Sequence, residues 1–326
     1  MITAAFIFIA FMIGAYVLLD GYDLGIGSIV PLVARSDRER LAAMQAIGPF
    51  WNGNEVFLVA AGGALFALFP RAYASSFSGF YLPFIIVLWL LMGRGIALEL
   101  REHYPNEMWH QFWDGVFVVA SALLALLFGV ALGNLIRGVP LDAQGYFQGT
   151  FAFLLNWYAL LVGLFAVVAL AFHGAAFLIL RTAGPFTQRV RAFAARIWIA
   201  LAVLFIAVTA ATFAVHPPAV WVYPLGALAF AALAGARIAL ARGAELATFL
   251  AGSAFLALLF AAAAGTLYPY LIPAFPAAHT AGLSIFDAAP SPGALASALA
   301  VSAIGMIGVL IYGGIVWRML AGKVTV

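Results

Sequence analysis

The sequence predicts an all-α protein that crosses a membrane several times, and three observations support this prediction. Of its 326 residues, 66% are hydrophobic and only 8% are charged. The mean hydropathy is +1.12, far above what a soluble domain of this length shows. The apolar residues also form separate runs of about 20 residues or more, the length at which an α-helix crosses a bilayer. We therefore expect a single transmembrane domain over residues 1–326.

Nine apolar runs are long enough to cross a bilayer. The connections between them are short, so we expect no inserted soluble domain. Nine transmembrane helices would form two four-helix bundles plus one helix, although no internal symmetry marks the two halves. The nine runs are residues 2–33, 54–71, 77–98, 114–136, 151–180, 196–215, 221–241, 245–270 and 294–318.

The Lys and Arg residues predict the orientation of the chain, because positively charged loops stay on the cytoplasmic side. If successive runs alternate in direction, only Arg71 and Arg137 fall on the outer side. The N-terminus is then outside and the C-terminus is cytoplasmic. The other positive charges all fall on the inner side, and they are Arg35, Arg38, Arg40, Arg94, Arg101, Arg181, Arg189, Arg191, Arg196, Arg237, Arg242, Arg318 and Lys323.

The composition leaves several kinds of site without support. The chain has no cysteine, which excludes disulfides, thiolate metal sites and cysteine nucleophiles. Its five histidines show no metal-ligand spacing, and no phosphate-binding loop or dinucleotide fingerprint is present. His173 lies inside the fifth run, where we expect it to make a hydrogen bond between helices. The net charge of +3, without a long basic run, argues against nucleic-acid binding.

Two aspartates interrupt the first apolar run and are the most informative feature of the chain. Asp20 and Asp23 are three residues apart, so they lie on one face of the helix. Gly21 and Gly25 carry no side chain that would keep a neighbouring helix away. An ionisable group at membrane depth is costly and is seldom there without a function. The pattern predicts a buried polar site between packed helices.

Two further charges are predicted to lie at a similar depth, near the cytoplasmic face. Glu55 lies at the inner end of the second run and Arg94 at the inner end of the third. One interpretation is structural, in which Arg94 neutralises Asp20 or Asp23 and holds three helices together. The other is that the carboxyl groups relay protons inward from the cytoplasm. The candidate catalytic residues, as a proton path or as a buried charge network, are Asp20, Asp23, Glu55 and Arg94.

With these residues assembled, the chain resembles subunit II of cytochrome bd-type quinol oxidases, including the cyanide-insensitive branch. Its first run contains the Asp-Gly-aromatic-Asp-x-Gly-x-Gly motif of that family, and further family stretches follow in the same order from end to end. The stretches that carry the resemblance are residues 19–27, 51–70, 78–81, 129–135, 138–140, 268–273 and 283–288, together with Arg94 and Arg101.

The resemblance implies a nine-helix subunit that pairs with a heme-bearing subunit I, in some members together with a very small single-helix subunit. Such a complex oxidises a quinol, reduces dioxygen to water and builds a proton gradient without pumping. The hemes, of type b and in some members also type d, and the quinol-oxidation loop belong to subunit I. This chain would then brace the heme subunit in a bacterial or archaeal cytoplasmic membrane and supply a cytoplasmic proton path.

Three residues just before and at the start of the second run can be compared with the family position by position. Trp51 matches a position where some members hold a structural quinone, which makes it a candidate cofactor-binding residue; from position alone it is a membrane-interface anchor. Asn52 departs from the family, because many members have an acidic residue there that is proposed to open a proton path. Asn cannot ionise, so we predict that Glu55, one turn later on the same helix face, replaces it.

Two other functions compete with the oxidase interpretation. The first is a secondary transporter with an intramembrane carboxylate site. It would need broken helices near the membrane midplane and inverted repeats, whereas these carboxylates fall toward one face and no repeat is evident. The second is a purely structural assembly subunit without a part in proton transfer, which the sequence does not separate from a proton-conducting one.

Overall fold

The computed structural model describes residues 1–275, 282–320 and 322–324, and within these ranges the chain is mostly helical. Two short strands, β1 (Tyr270–Pro273) and β2 (Gly282–Ser284), form an antiparallel pair. Single 3-10 turns cover Arg101–His103 and Val220–Val222. The helices are α1 (Ile2–Val33), α2 (Asp37–Ile47), α3 (Trp51–Leu68), α4 (Pro70–Gly79), α5 (Tyr81–Leu100), α6 (Glu107–Arg137), α7 (Phe151–Leu154), α8 (Trp157–Arg181), α9 (Pro185–Val215), α10 (Tyr223–Ala241), α11 (Glu245–Leu267), α12 (Ile285–Ala288) and α13 (Pro292–Leu320).

Eight helices in the described part of the chain are long and apolar enough to cross a membrane. They are α1, α5 with the 3-10 turn after it, α6, α8, α9, α10, α11 and α13. The second predicted run, 54–71, is not among them. It forms most of α3, which has 18 residues and begins with a polar segment that contains Asn52, Asn54 and Glu55.

Three predicted runs have different boundaries in the structure. The run 151–180 contains one span, but that span begins only at Trp157, because Asn156 accepts a hydrogen bond from the Ala159 N–H at 3.0 Å and begins α8 separately from the short α7. The run 77–98 begins within α4, and α5 starts only at Tyr81. The run 245–270 is helical only as far as Leu267, since Pro269 cannot continue the hydrogen-bond pattern of the helix.

Helix α8 lies at the centre of the molecule, and α1 packs directly against it. It contacts α1, α6, α9 and α11, and 78% of its most apolar segment is buried. A Cβ atom on Gly25 would lie 1.9 Å from the Leu170 carbonyl oxygen, and one on Gly174 would lie 2.4 Å from the Ile26 nitrogen. No side chain fits at either position. The two glycines therefore allow the polar segment of α1 to lie directly against α8.

The connections between helices gather at the two ends of α8. One end contains α2, the 3-10 turn after α5, the α8–α9 turn and residues 322–324, and the Val324 N–H donates there to the Arg181 carbonyl at 2.7 Å. We call it the basic end. The other contains β1, β2 and the segment 138–156, and the Phe275 N–H donates there to the Val139 carbonyl at 2.8 Å. We call it the hairpin end.

Candidate functional site: a buried charge cluster

Arg94 lies where α1, α3 and α5 meet, and its side chain is fully buried. Its Nη2 atom donates to Asp20 Oδ1 at 2.7 Å and to Glu55 Oε1 at 2.6 Å. Asp20 is as deeply buried as Arg94, whereas 25% of the Glu55 side chain is exposed. One cation thus joins three helices and links an enclosed carboxylate to one that reaches the surface of the chain.

Asp23 is fully buried, and the structure gives it an amide partner instead of a cation. The Nδ2 atom of Asn54 donates to Asp23 Oδ2 at 2.8 Å. The same nitrogen lies 3.0 Å from the Tyr22 hydroxyl oxygen and 3.2 Å from the Leu19 carbonyl oxygen. Of the two aspartates that the sequence offers to Arg94, the structure therefore pairs Asp20 with it.

Several buried polar atoms of this cluster have no hydrogen-bond partner among the described residues. Leaving such an atom unpaired costs about 1–3 kcal/mol, so these atoms mark places where protons or water are expected to bind. The cluster is therefore not a saturated structural ion pair. The unpaired atoms are Asp20 Oδ2, Asp23 Oδ1, Arg94 Nε, Arg94 Nη1 and the Tyr16 hydroxyl.

His173 supports the same segment of α1 from α8. Its Nε2 atom lies 2.9 Å from the Leu18 carbonyl oxygen, and because a carbonyl can only accept, Nε2 carries the proton. This is the hydrogen bond between helices that the sequence predicts. Asn54 contacts the next carbonyl, that of Leu19. The two carbonyls that precede Asp20 are thus held by side chains from two neighbouring helices.

Trp51 lies inside the chain, beside α5. Only 8% of it is exposed, and a Cβ atom on Gly95 would lie 3.2 Å from the Trp51 ring. A bound quinone needs an open face of the indole, and this burial leaves little of one. The residues around Trp51 therefore do not fit a quinone ring.

The residues that follow Trp51 in the motif have contrasting environments. Asn52 is exposed on the surface of α3, while Asn54 and Glu55 turn toward the cluster. Sequence reasoning assigned no role to Asn54. A signal was present, since Asn54 is a second amide at the start of an apolar run, but only the tertiary contact with Asp23 separates it from Asn52.

No group of three or more His, Asp and Glu side chains in the described ranges is arranged to hold a metal ion. Carboxyl, hydroxyl and imidazole groups, which are able to bind protons, occur together in the cluster, and Glu55 reaches the surface of the chain.

A second charge cluster lies at the basic end, around Arg101. Arg101 Nε donates to Asp114 Oδ1 at 2.6 Å, and Arg101 also contacts Asp37 and Glu102. Arg40 Nε lies 3.0 Å from the other oxygen of Asp114. These ion pairs join α2, the end of α5 and the start of α6. Sequence reasoning noted Arg101 as part of a motif but did not predict this cluster.

The sequence is similar to those of known proteins. The sequence matches the family model described as "Cytochrome bd terminal oxidase subunit II" over residues 1–320. It is 37% identical over 205 residues to "Cytochrome bd ubiquinol oxidase subunit 2" of Bacillus subtilis (strain 168), in an alignment that covers 63% of this chain and 60% of that protein. It is 39% identical over 181 residues to "Cytochrome bd-I ubiquinol oxidase subunit 2" of Escherichia coli (strain K12), covering 54% and 48%. The chain thus aligns with about half to three-fifths of the length of these relatives.

A solved structure has the same fold. The chain superposes on a chain of "The structure of bd oxidase from Geobacillus thermodenitrificans" with a TM-score of 0.80, covering 98% of both chains. The sequence identity in this comparison is 17%, so the likeness concerns the fold alone.

Proposed function

The chain belongs to the cytochrome bd terminal oxidase subunit II family, and from this premise we propose that it works as subunit II of a membrane-bound quinol oxidase. In this proposal it pairs with a heme-bearing subunit I, with or without a small single-helix subunit. The complex oxidises a quinol and reduces dioxygen to water. Protons for water come from the cytoplasm and quinol protons leave on the outer side, which generates a gradient without pumping.

The proposed topology places the chain in the bacterial inner membrane as one multi-pass domain. The eight apolar helices support a multi-pass arrangement. We propose α3 as the ninth span, in two four-helix bundles plus one helix, because the partner subunit can cover its polar start. The basic end is then cytoplasmic, with the N-terminus outside and the C-terminus inside.

Within the complex, we propose that this chain braces the heme subunit and carries a proton path from the cytoplasm. The single observation behind this role is the cluster in which Arg94 joins the surface-reaching Glu55 to the enclosed Asp20. Glu55 takes up the proton. It thereby replaces the acidic residue that many family members have at the position of Asn52. The hemes lie in subunit I. Helix α1 continues without a break through both aspartates, which gives the transporter alternative no support.

The assembly part of the proposal is tested by isolating the tagged chain from its native membrane in a mild detergent. We expect a larger membrane subunit to co-purify and to show b-type heme bands in a dithionite-reduced minus oxidised spectrum. A far-red band would add heme d. An unrelated tagged multi-pass protein from the same membrane is the control. A lone colourless chain from cells grown under oxygen limitation would contradict the proposal.

The proton path is tested with Glu55→Gln in the purified complex. The amide still accepts from Arg94 but cannot carry a proton, so heme content should be retained while oxygen-reduction turnover falls about tenfold or more. The matched control is Glu99→Gln, whose carboxylate is exposed near the end of α5 and whose removal should leave turnover unchanged. Full turnover in Glu55→Gln would exclude Glu55 from the path.

A further inference from the structure

Two of the unpaired atoms in the buried cluster are carboxyl oxygens on neighbouring side chains. Asp20 Oδ2 and Asp23 Oδ1 both lack a hydrogen-bond partner among the described residues. Their residues are three positions apart on one continuous helix, which brings the side chains together, and the two carboxyl groups interact. Two ionised carboxylates in this position would repel each other strongly, because both side chains are buried away from bulk solvent.

The charges around this pair do not balance when every carboxyl is ionised. Arg94 provides one positive charge, while Asp20, Asp23 and Glu55 together would provide three negative charges. The net charge of the cluster would then be −2. Asp20 and Asp23 are both fully buried, and burying uncompensated charge is strongly unfavourable. One bound proton leaves a single excess negative charge, next to the surface at Glu55.

The remaining titratable and charged groups near the pair do not remove this excess. The Tyr16 hydroxyl lies beside Asp20, one turn earlier on α1, and a phenol carries no charge at neutral pH. Tyr22 contacts Asn54 of α3. His173 of α8 donates from Nε2 to a backbone carbonyl. Arg181, at the end of α8, donates to the Leu320 carbonyl at the basic end and lies over the Phe50 ring. The proton must therefore reside on one of the three carboxyl groups.

The hydrogen bonds indicate where the proton lies. Asp20 Oδ1 and Glu55 Oε1 both accept from Arg94, and a cation at this distance favours ionised oxygens. Asp23 Oδ2 accepts from Asn54. The two oxygens left over are Asp20 Oδ2 and Asp23 Oδ1. We propose that Asp20 and Asp23 hold one proton between these oxygens, as a carboxyl–carboxylate pair that titrates as a unit.

This inference rests on the proposed function, because it identifies which residues of the same site hold a proton. Its test does not depend on turnover. The test is infrared spectroscopy of the purified complex, which detects the carbonyl stretch of a protonated carboxyl. We expect such a band in the unmodified complex, sensitive to exchange into D2O and to 13C labelling of aspartate carboxyl groups. In Asp23→Asn the band should disappear, because Asp20 is left alone with Arg94 and ionises.

Matched variants identify the site of the proton. Asp142→Asn, in the loop after α6, should leave the band unchanged, and so should Glu55→Gln. Asn54→Leu should shift the band, since it removes the donor to Asp23 Oδ2 without altering any charge, whereas Asn52→Leu on the exposed side of α3 should not. The heme spectrum of each variant reports whether the complex has assembled.

Three results would overturn the inference. The first is an unchanged band in an assembled Asp23→Asn complex, and the second is loss of the band in Glu55→Gln. The third is the absence, in the unmodified complex, of any band sensitive to aspartate labelling. If Asp23→Asn does not assemble, the Asn54→Leu complex and the labelled unmodified complex provide the test. Full turnover in Glu55→Gln with the Asp23 band in place would instead reject the proposed path and leave the shared proton standing.

Discussion

Arg94 and Arg101 are seven residues apart at the same end of α5, and both guanidinium groups are buried, yet their partners differ. Arg101 uses Nε, Nη1 and Nη2 for carboxylates, of which Asp37 and Glu102 are each 49% exposed. Arg94 uses only Nη2, and its Nε and Nη1 atoms have no partner among the described residues. Bulk solvent can screen the charges around Arg101, whereas the Arg94 and Asp20 side chains have no exposed surface.

The difference separates two uses of one residue type. A guanidinium that donates from all three of its nitrogens to carboxylates, as Arg101 does, fixes the positions of α2, α5 and α6. A guanidinium with unused donors lies next to more carboxyl groups than it can neutralise, and we propose that such a site binds protons. Three predictions test this distinction, from the largest expected effect to the smallest.

Arg94→Ala should have the largest effect, because it leaves Asp20, Asp23 and Glu55 without a cation in the interior. Breaking a buried ion pair in this way costs about 3–5 kcal/mol. We expect a low yield of complex and a low heme content per protein. Arg38→Ala, at an exposed position of α2, is the control and should assemble normally. Normal heme content in Arg94→Ala would show that the cluster does not need its cation.

Arg101→Ala should have a smaller effect, about 1–3 kcal/mol. Arg40 still lies against Asp114, and the exposed carboxylates Asp37 and Glu102 regain water. We expect a lower thermal unfolding temperature of the complex, with heme content and turnover per heme retained. The comparison between the two arginines would fail if Arg101→Ala lost heme to the same extent as Arg94→Ala.

Removal of the Glu39–Arg189 ion pair should have the smallest effect. This pair joins α2 to α9 at the basic end. Partial burial would raise the pKa of Glu39. Hydrogen bonds from the Arg189 side chain and from the backbone N–H groups of Arg35 and Ser36 lower the pKa below its ordinary value of 4.5. A lowered pKa in the folded state means that the unfolded state binds more protons. The stabilisation is therefore present above about pH 4.5 and is lost as the pH falls further, by about 1 kcal/mol or less.

Hydrogen–deuterium exchange of α2 at several pH values measures this contribution. Protection of α2 should decrease as the pH falls below the ordinary glutamate pKa, and Glu39→Gln should reduce this pH dependence. Glu107→Gln, at an exposed position at the start of α6, provides the comparison. The same pH dependence in Glu39→Gln and in the unmodified chain would assign it to other groups.

Much of the site was predictable because membrane burial makes its residues conspicuous. Asp20, Asp23, Glu55 and Arg94 are charges in or at the ends of apolar runs, and their predicted common depth is consistent with the observed contacts between Arg94, Asp20 and Glu55. Asn54 was not assigned a role, since an uncharged amide at the start of a run costs little and draws no attention. Trp51 was open to two interpretations, and its burial against Gly95 follows from how α3 and α5 pack.

The sequence by itself determined that this is an apolar, multi-helix chain with a family motif around two aspartates, because hydropathy and residue spacing are local properties. It also predicted the course of α1, whose bounds match the first run, residues 2–33. The tertiary structure decided which aspartate pairs with Arg94 and which asparagine reaches Asp23. These outcomes depend on contacts between residues 74 and 31 positions apart, and local hydropathy and spacing do not specify contacts at that separation.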